Sequence, residues 1–254
     1  MTLRRPTNSK TRIQAEQYRF PYHYLVDLER RDFVRNLDWG LDYLTYMQKV
    51  LELVRRYIQE DVLDVGCGDG FLLYNLARHT SVLEGRSAVG IDVDGQAIGF
   101  ARAFTFGLDI TFLEQDLGAY DVPHRLITAV ETFEHIPDED LDTFISNIDR
   151  LLRPGGHLIV SVPSKVRPVI EKHFRHYDLD MLKGYFPQYA LKELYYVTAR
   201  RSVLYRISAT LLANRYVNLN FGPFKKLLLA MHRRYTRDVS ADRGAHIITV
   251  FHKP

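Results

Sequence analysis

The chain is short of several things, and each shortage removes a class of answer. One cysteine, Cys67, stands alone in 254 residues. No disulfide can form within the chain, and a reducing, cytoplasmic setting is expected. No apolar run approaches the roughly 18–20 residues of a membrane span. The opening Met1-Thr-Leu-Arg-Arg-Pro has no apolar leader core, so no secretory signal is expected. Internal repeats and low-complexity tracts are missing, which excludes solenoids and arrays. No Gly-Lys-Ser/Thr triplet follows a glycine cluster, which removes the phosphate loop of nucleotide hydrolases.

What is present is a chain of 46% hydrophobic content, able to bury one elaborated core. From residue 60 it alternates strand and helix patterns. Strands are predicted near 61–65, 88–92, 109–113, 126–131 and 156–162, with helices near 70–79, 94–106, 138–152 and 178–184. Short loops between them argue for an α/β fold with a doubly wound parallel sheet. Leu191–Ala199 and Ala245–Phe251 read as two further strands, separated by far more chain than a hairpin needs. Residues 200–243 are therefore predicted to be a helical insertion. Ahead of the domain (60–254), residues 1–59 read as an arm and helical lid. Gly40–Ile58 carries Leu41, Leu44, Met47, Leu51 and Val54 at helical spacing. Tyr18, Phe20, Tyr22, His23 and Tyr24 form an aromatic cluster that suits either a core contact or a stacking lid over an acceptor.

The sharpest local signal is Val62-Leu-Asp64-Val-Gly66-Cys67-Gly68-Asp-Gly70. A buried strand, alternating glycines and a helix start let a ligand approach bare backbone. Asp92 ends the second strand 22 residues beyond Gly70, where a carboxylate can accept both hydroxyls of a ribose. Asp116 follows the third strand and can accept an adenine amino group, with Leu117 against the ring. Acids at strand ends also cap helices, but two in this order after a glycine loop favour a nucleoside. A dinucleotide pattern needs a glycine where Phe71 stands.

These residues resemble the class I S-adenosylmethionine-dependent methyltransferases. The likeness rests on Asp64-Val-Gly66-Cys-Gly68-Asp-Gly70, on Asp92 and Asp116, and on Pro154-Gly155-Gly156 leading into the fifth strand. It spans about residues 60–165. It implies a seven-stranded sheet with an antiparallel last strand. It also implies S-adenosylmethionine as cofactor, its methionine end on Asp64, Gly66, Cys67 and Gly68, and its nucleoside on Asp92, Val93, Asp116 and Leu117. Cys67 is favoured as a small residue tolerated beside the cofactor over a reactive nucleophile.

The fourth strand runs into Glu131-Thr-Phe-Glu134-His135-Ile-Pro, at the sheet end that would face the methyl group. Methyl transfer to oxygen needs the hydroxyl proton removed. His135 is the first candidate base, and His173 and His176 are the others. The same residues also suit a divalent metal such as Mg²⁺, with Glu131, Glu134, His135 and His176 as ligands. This Glu-x-x-Glu-His pattern resembles that of small-RNA 3′-end ribose methyltransferases and quinone-biosynthesis O-methyltransferases. The bland alternatives are that Glu131 touches the cofactor's edge and that Glu134 or His135 merely starts a helix.

Residues 200–243 carry ten Lys/Arg against two Asp/Glu, on a body that is mildly acidic. Lys225, Lys226, Arg233, Arg234 and Arg237 lie among Phe221, Phe224 and Leu227–Leu229. A solvated surface helix, peripheral docking on an anionic membrane, a phosphate-bearing acceptor and a homodimer contact all fit. Nucleic acid is the weaker partner reading. The sequence thus points to an O-methyltransferase. A saccharide or lipid-linked glycan hydroxyl is favoured ahead of a quinone-type phenol and an RNA ribose. A non-catalytic partner subunit is the reading from a different class.

Overall fold

The computed structural model of the protein describes residues 37–79, 81–199 and 238–254, with positions 223, 226, 227 and 230. In chain order its elements are α1 (Leu37–Tyr57), β1 (Asp61–Val65), α2 (Phe71–His79), β2 (Ser87–Asp92), α3 (Gly95–Phe104), β3 (Thr111–Glu114), β4 (His124–Val130), α4 (Leu141–Leu151), β5 (Leu152–Pro163), α5 (Leu179–Tyr185), β6 (Ala190–Ala199) and β7 (Gly244–His252). The strands make one seven-stranded sheet in the order β3-β2-β1-β4-β5-β7-β6. β1 to β5 pair in parallel. β7 runs antiparallel to β5 and to β6. The strand order reverses between β1 and β4, so the crevice beyond their carboxyl ends is where such a sheet takes a ligand.

Strand periodicity divides the core into two layers. Leu63, Val65, Ile127, Ala129, Leu158 and Val160 pack with Leu141 and Ile148 of α4 and Leu182 of α5. On the other face, Val62, Leu126, Ile159 and Ile248 pack with Val50, Leu53 and Val54 of α1, Leu72, Leu73 and Leu76 of α2, and Ile98 of α3. Every residue of β1 is buried, which explains why it reads as a continuous run without alternation. Each fully buried Leu or Ile contributes about 1.5–3 kcal/mol relative to exposure.

Several predicted boundaries move by a few residues, two of them around β5. The helix expected over 138–152 spans Leu141–Leu151, and the expected Pro-Gly-Gly turn lies inside β5, which already begins at Leu152. The ladder shifts register opposite His124 and Leu126, and Gly155 takes φ +75°. Gly155 N–H donates to the Lys253 carbonyl at 2.9 Å, and Lys253 N–H returns to the Gly156 carbonyl at 3.0 Å. The glycines therefore make a bulge paired to the chain end, a turn-like signal used within a strand.

The aromatic segment 18–24 lies outside the described residues. So does most of the basic insertion, including Lys225, Arg233, Arg234 and Arg237; Pro223, Lys226, Leu227 and Ala230 are helical. Among the described residues, no helix is long and apolar enough to cross a membrane.

Candidate active site

The glycine loop joins β1 to α2 with Gly66, Gly68 and Gly70 at φ +67°, +54° and +74°. Its amides point inward. Gly66 and Cys67 N–H both donate to the Ile91 carbonyl (2.8 and 3.0 Å), and Gly70 N–H donates to the Cys67 carbonyl at 3.0 Å. Gly68 N–H donates to Asp92 Oδ2 at 2.9 Å. At the mouth of α2, Asp69 Oδ1 accepts from Phe71 N–H at 3.3 Å. A pyrophosphate needs free amides at a helix N-terminus, and here they are engaged and a carboxylate already sits there. What the loop can present to a ligand is bare Cα surface, carbonyl oxygens and acids. That chemistry suits a cation.

Asp64 and Asp92 reinforce this. Burial pushes the Asp64 carboxyl up to about 7, against the opposing hydrogen bond from Thr128, whose Oγ1 donates to Oδ1 at 2.7 Å. Burial likewise pushes Asp92 up to about 6, against its bonds from the Asp94 and Gly68 amides. Each Asp92 oxygen accepts one such amide and keeps a lone pair for a ribose hydroxyl. Beside it Val93 is 68% exposed, an apolar face suited to cover by a ring. Asp116 is exposed and its Oδ1 accepts from Gly118 N–H at 2.7 Å, leaving its other oxygen for a donor, while Leu117 is buried. The Cys67 thiol lies against β2, where a Cβ on Gly90 would stand 2.9 Å from its sulfur. Burial and the nearby Asp92 push that thiol well up, so it is a poor nucleophile.

These shifts give a pH prediction. A carboxyl raised in the folded state opposes folding when ionised, so the ligand-free protein loses this part of its stability as pH rises from about 4 towards 7. A bound cation favours the ionised carboxylates and reverses the sign for binding. Affinity for S-adenosylmethionine should therefore rise by about tenfold from pH 5.5 to 7.5, with proton release on binding. Calorimetry in buffers of different ionisation heat measures it, and a pH-independent affinity would refute the assignment.

The second half of the site follows β4. Glu131 takes φ +53°, and the next residues form a single 3-10 turn, Phe133–His135. The loop after β5 is tied down onto this turn. Phe174 N–H donates to the Glu134 carbonyl at 2.8 Å, and Tyr177 OH to the Phe133 carbonyl at 2.9 Å. Arg175 pairs with Asp138. These ties bring His173 over Glu134 and His135, and ligand-capable atoms of the three lie within 4.8 Å of one another.

Glu134 is fully buried, and neither carboxylate oxygen has a hydrogen-bond partner among the described residues. Burial, then the Glu131 charge, push its carboxyl far up. The imidazoles answer in the opposite sense. Burial, then Lys172, bring His135 down to about 4, and burial, then His135, bring His173 to about 3. Both rings are thus neutral. Hydrogen bonding sets their tautomers. His135 Nδ1 lies 3.3 Å from the Lys172 carbonyl, so it is the protonated nitrogen, and Nε2 faces Glu134 Oε1 at 3.8 Å. His176 Nδ1 lies 3.0 Å from the Arg167 carbonyl, which makes its Nε2 the acceptor for His173 Nδ1–H at 2.8 Å. The lone pair of His173 is then on Nε2.

This departs from the ligand set expected from sequence. His176 stands behind His173 and orients it. Glu131 is engaged elsewhere: Ser161 Oγ donates to its Oε1 at 2.7 Å, and His246 Nδ1 lies 3.1 Å from Oε2. Burial pushes the Glu131 carboxyl up, but His246 and Ser161 outweigh this and hold it below the usual range. The set brought together is Glu134, His135 and His173. His246 and Ser161 were missed by sequence reasoning. The one signal for His246 is a histidine on a strand whose neighbours are buried.

A methyltransferase-domain family matches residues 62–156. A ubiquinone biosynthesis O-methyltransferase of Cronobacter sakazakii is 34% identical over 110 residues, covering 39% of this chain and 41% of the relative. A cyclopropane-fatty-acyl-phospholipid synthase of Escherichia coli is 34% identical over 118 residues, covering 44% and 30%. The chain thus spans less than half the length of these curated relatives. Among solved structures, the N-methyltransferase NodS of Bradyrhizobium japonicum with S-adenosyl-L-homocysteine gives a TM-score of 0.59 at 17% identity, over 97% of this chain and 100% of the other. Magnesium protoporphyrin IX methyltransferase of Synechocystis, with the same ligand, gives 0.59 at 14% identity over 97% and 96%.

Proposed function

We propose that the protein, through a methyltransferase domain of the class I S-adenosylmethionine-dependent kind, methylates a hydroxyl oxygen of a small, quinone-type phenol. The observation that carries the cofactor half is the inward-turned glycine loop ringed by Asp64, Asp69 and Asp92. Asp92 holds the ribose, Val93 and Leu117 flank the adenine, Asp116 accepts its amino group, and Asp64 with the loop carbonyls takes the methionine ammonium. S-adenosylmethionine supplies there a sulfonium methyl open to attack.

The phenolic acceptor is supported by the ubiquinone biosynthesis O-methyltransferases among the relatives. The saccharide reading leaned on the polar acidic and histidine mouth and on aromatic residues 18–24, the latter outside the described residues, and the relatives give it no comparable support. Glu134, His135 and His173 fit a divalent ion of the Mg²⁺ or Mn²⁺ kind. A buried carboxylate lacking protein donors and two neutral imidazoles form a mixed oxygen/nitrogen donor set, with His176 and the Lys172 carbonyl fixing ring orientation behind them. Such an ion lowers the pKa of a coordinated hydroxyl. Around it the chain's own groups exclude water and hold the phenol oxygen beside the cofactor, which converts a bimolecular encounter into a positioned one.

The test is turnover with and without chelator. Excess EDTA should abolish methyl transfer to a catechol, and Mg²⁺ or Mn²⁺ should restore it. Undiminished transfer in excess chelator would remove the metal from the reading.

A further inference from the structure

Among the described residues, Glu131 and the buried His246 form an ionisable pair outside the set Glu134, His135 and His173, at the carboxyl end of the sheet. Glu131 directly follows β4 in a left-handed conformation, φ +53°, which a side chain of this size adopts only when its surroundings hold it there. The holding groups are visible. Its N–H donates to the Ser161 carbonyl at 2.8 Å, and its Oε1 accepts from Ser161 Oγ at 2.7 Å. Its carboxylate faces His246 Nδ1 at 3.2 and 3.1 Å from the two oxygens. The next residue, Thr132, is the one a Cβ on Gly66 would strike. The pair is therefore next to the glycine loop on one side and to the Glu134 turn on the other.

His246 enters from β7, opposite Pro163 at the carboxyl end of β5. It is 6% exposed, and the Tyr46 ring of α1 lies tilted against it with ring centroids 4.7 Å apart. With Nδ1–H given to Glu131, the lone pair of the imidazole is on Nε2. A carboxylate that fixes the tautomer of a histidine and balances the charge it gains is the arrangement of a general base. Among the described residues, the groups facing it are Glu131 just after β4, His176 from the loop after β5 and Tyr46 from α1.

We propose that His246, oriented by Glu131, is the base that takes the acceptor's hydroxyl proton. The inference rests on the phenol O-methyltransferase reading. As the phenol oxygen forms its bond to the methyl carbon, its O–H proton passes to His246 Nε2. The methyl–sulfur bond breaks with its electron pair going to sulfur, giving S-adenosyl-L-homocysteine. The imidazolium is balanced by Glu131 and returns its proton to solvent.

The test compares wild type, His246→Gln and Glu131→Gln in the full chain, with two acceptors. One is a catechol, un-ionised at the assay pH. The other is a nitrocatechol, whose more acidic hydroxyl is already ionised. With catechol, kcat should fall by about 100-fold or more in both variants. With nitrocatechol the loss should shrink to within a few-fold, because no proton remains to be taken. Affinity for S-adenosyl-L-homocysteine should be unchanged, which also shows that the variants fold. If His246→Gln fails that check, the Glu131→Gln comparison decides. Equal losses on both acceptors, or no loss on either, would overturn the base while leaving the methyltransferase reading intact. Wild type that binds the cofactor product but methylates neither phenol would overturn the acceptor reading, and the base with it.

Discussion

Gly66→Ala is expected to abolish detectable binding of S-adenosyl-L-homocysteine. Gly66 sits at φ +67°, where an L-residue costs about 1–2 kcal/mol. Its added Cβ would lie 2.4 Å from Thr132 Cγ2 and 2.7 Å from Thr132 Oγ1. Thr132 cannot swing away cheaply, since its Oγ1 donates to the Val65 carbonyl at 3.0 Å. Overpacking of this kind costs about 1–3 kcal/mol more. The strain falls on the loop that carries the Gly68–Asp92 bond, so the acid proposed to hold the ribose loses its position. A loss of affinity above about 100-fold, read by calorimetry, is expected alongside a lowered melting temperature. Adding Thr132→Ala removes the struck atoms and should recover part of both. If Gly66→Ala binds like wild type, the loop does not hold the cofactor.

The second large effect belongs to Glu134, and its two readouts run in opposite directions. In the metal-free protein this carboxyl is buried and without a hydrogen-bond partner among the described residues, an arrangement that costs about 1–3 kcal/mol. Its raised pKa means that the cost grows as pH climbs above the ordinary carboxylate range. Glu134→Met, similar in volume and apolar, should therefore raise the melting temperature of the apo protein at pH 7. The same change removes the only carboxylate of the three-ligand set. Mn²⁺ should then give no thermal upshift, and kcat should drop by about 1,000-fold, the worth of several kcal/mol of metal-derived activation. Stability gained where activity is lost marks a residue kept for function. A variant that is less stable and still responds to Mn²⁺ would contradict the metal assignment.

How much of this was legible in the sequence depends on the range of the interactions. β1, the glycine loop and α2 are contiguous, and their order is written in Val62-Leu-Asp-Val-Gly66 through Phe71. The places of Asp92 and Asp116 at strand ends were readable because a strand end is a fixed address in this fold. The direction of the loop amides was not, since it depends on Ile91 accepting two of them from the neighbouring strand. The ligand choice between His173 and His176 was likewise hidden. Both lie three residues apart on an irregular loop, and only the ties from Phe174 to Glu134 and from His176 to the Arg167 carbonyl decide which ring faces inward. Glu131 was read with Glu134 and His135 because they are close in sequence. Its true partner comes from β7, 115 residues away, and a left-handed φ turns its carboxylate towards it. Long-range pairing of single polar residues leaves no periodicity to detect.

The most direct test of the central claim is the fate of a labelled methyl group. Purified protein is given S-adenosylmethionine labelled in its methyl carbon, a catechol and Mg²⁺, and the product is identified by NMR. An aryl methyl ether and one S-adenosyl-L-homocysteine per methyl transferred are expected. Label found on nitrogen or carbon, or cofactor consumed with no labelled phenol, would contradict that claim.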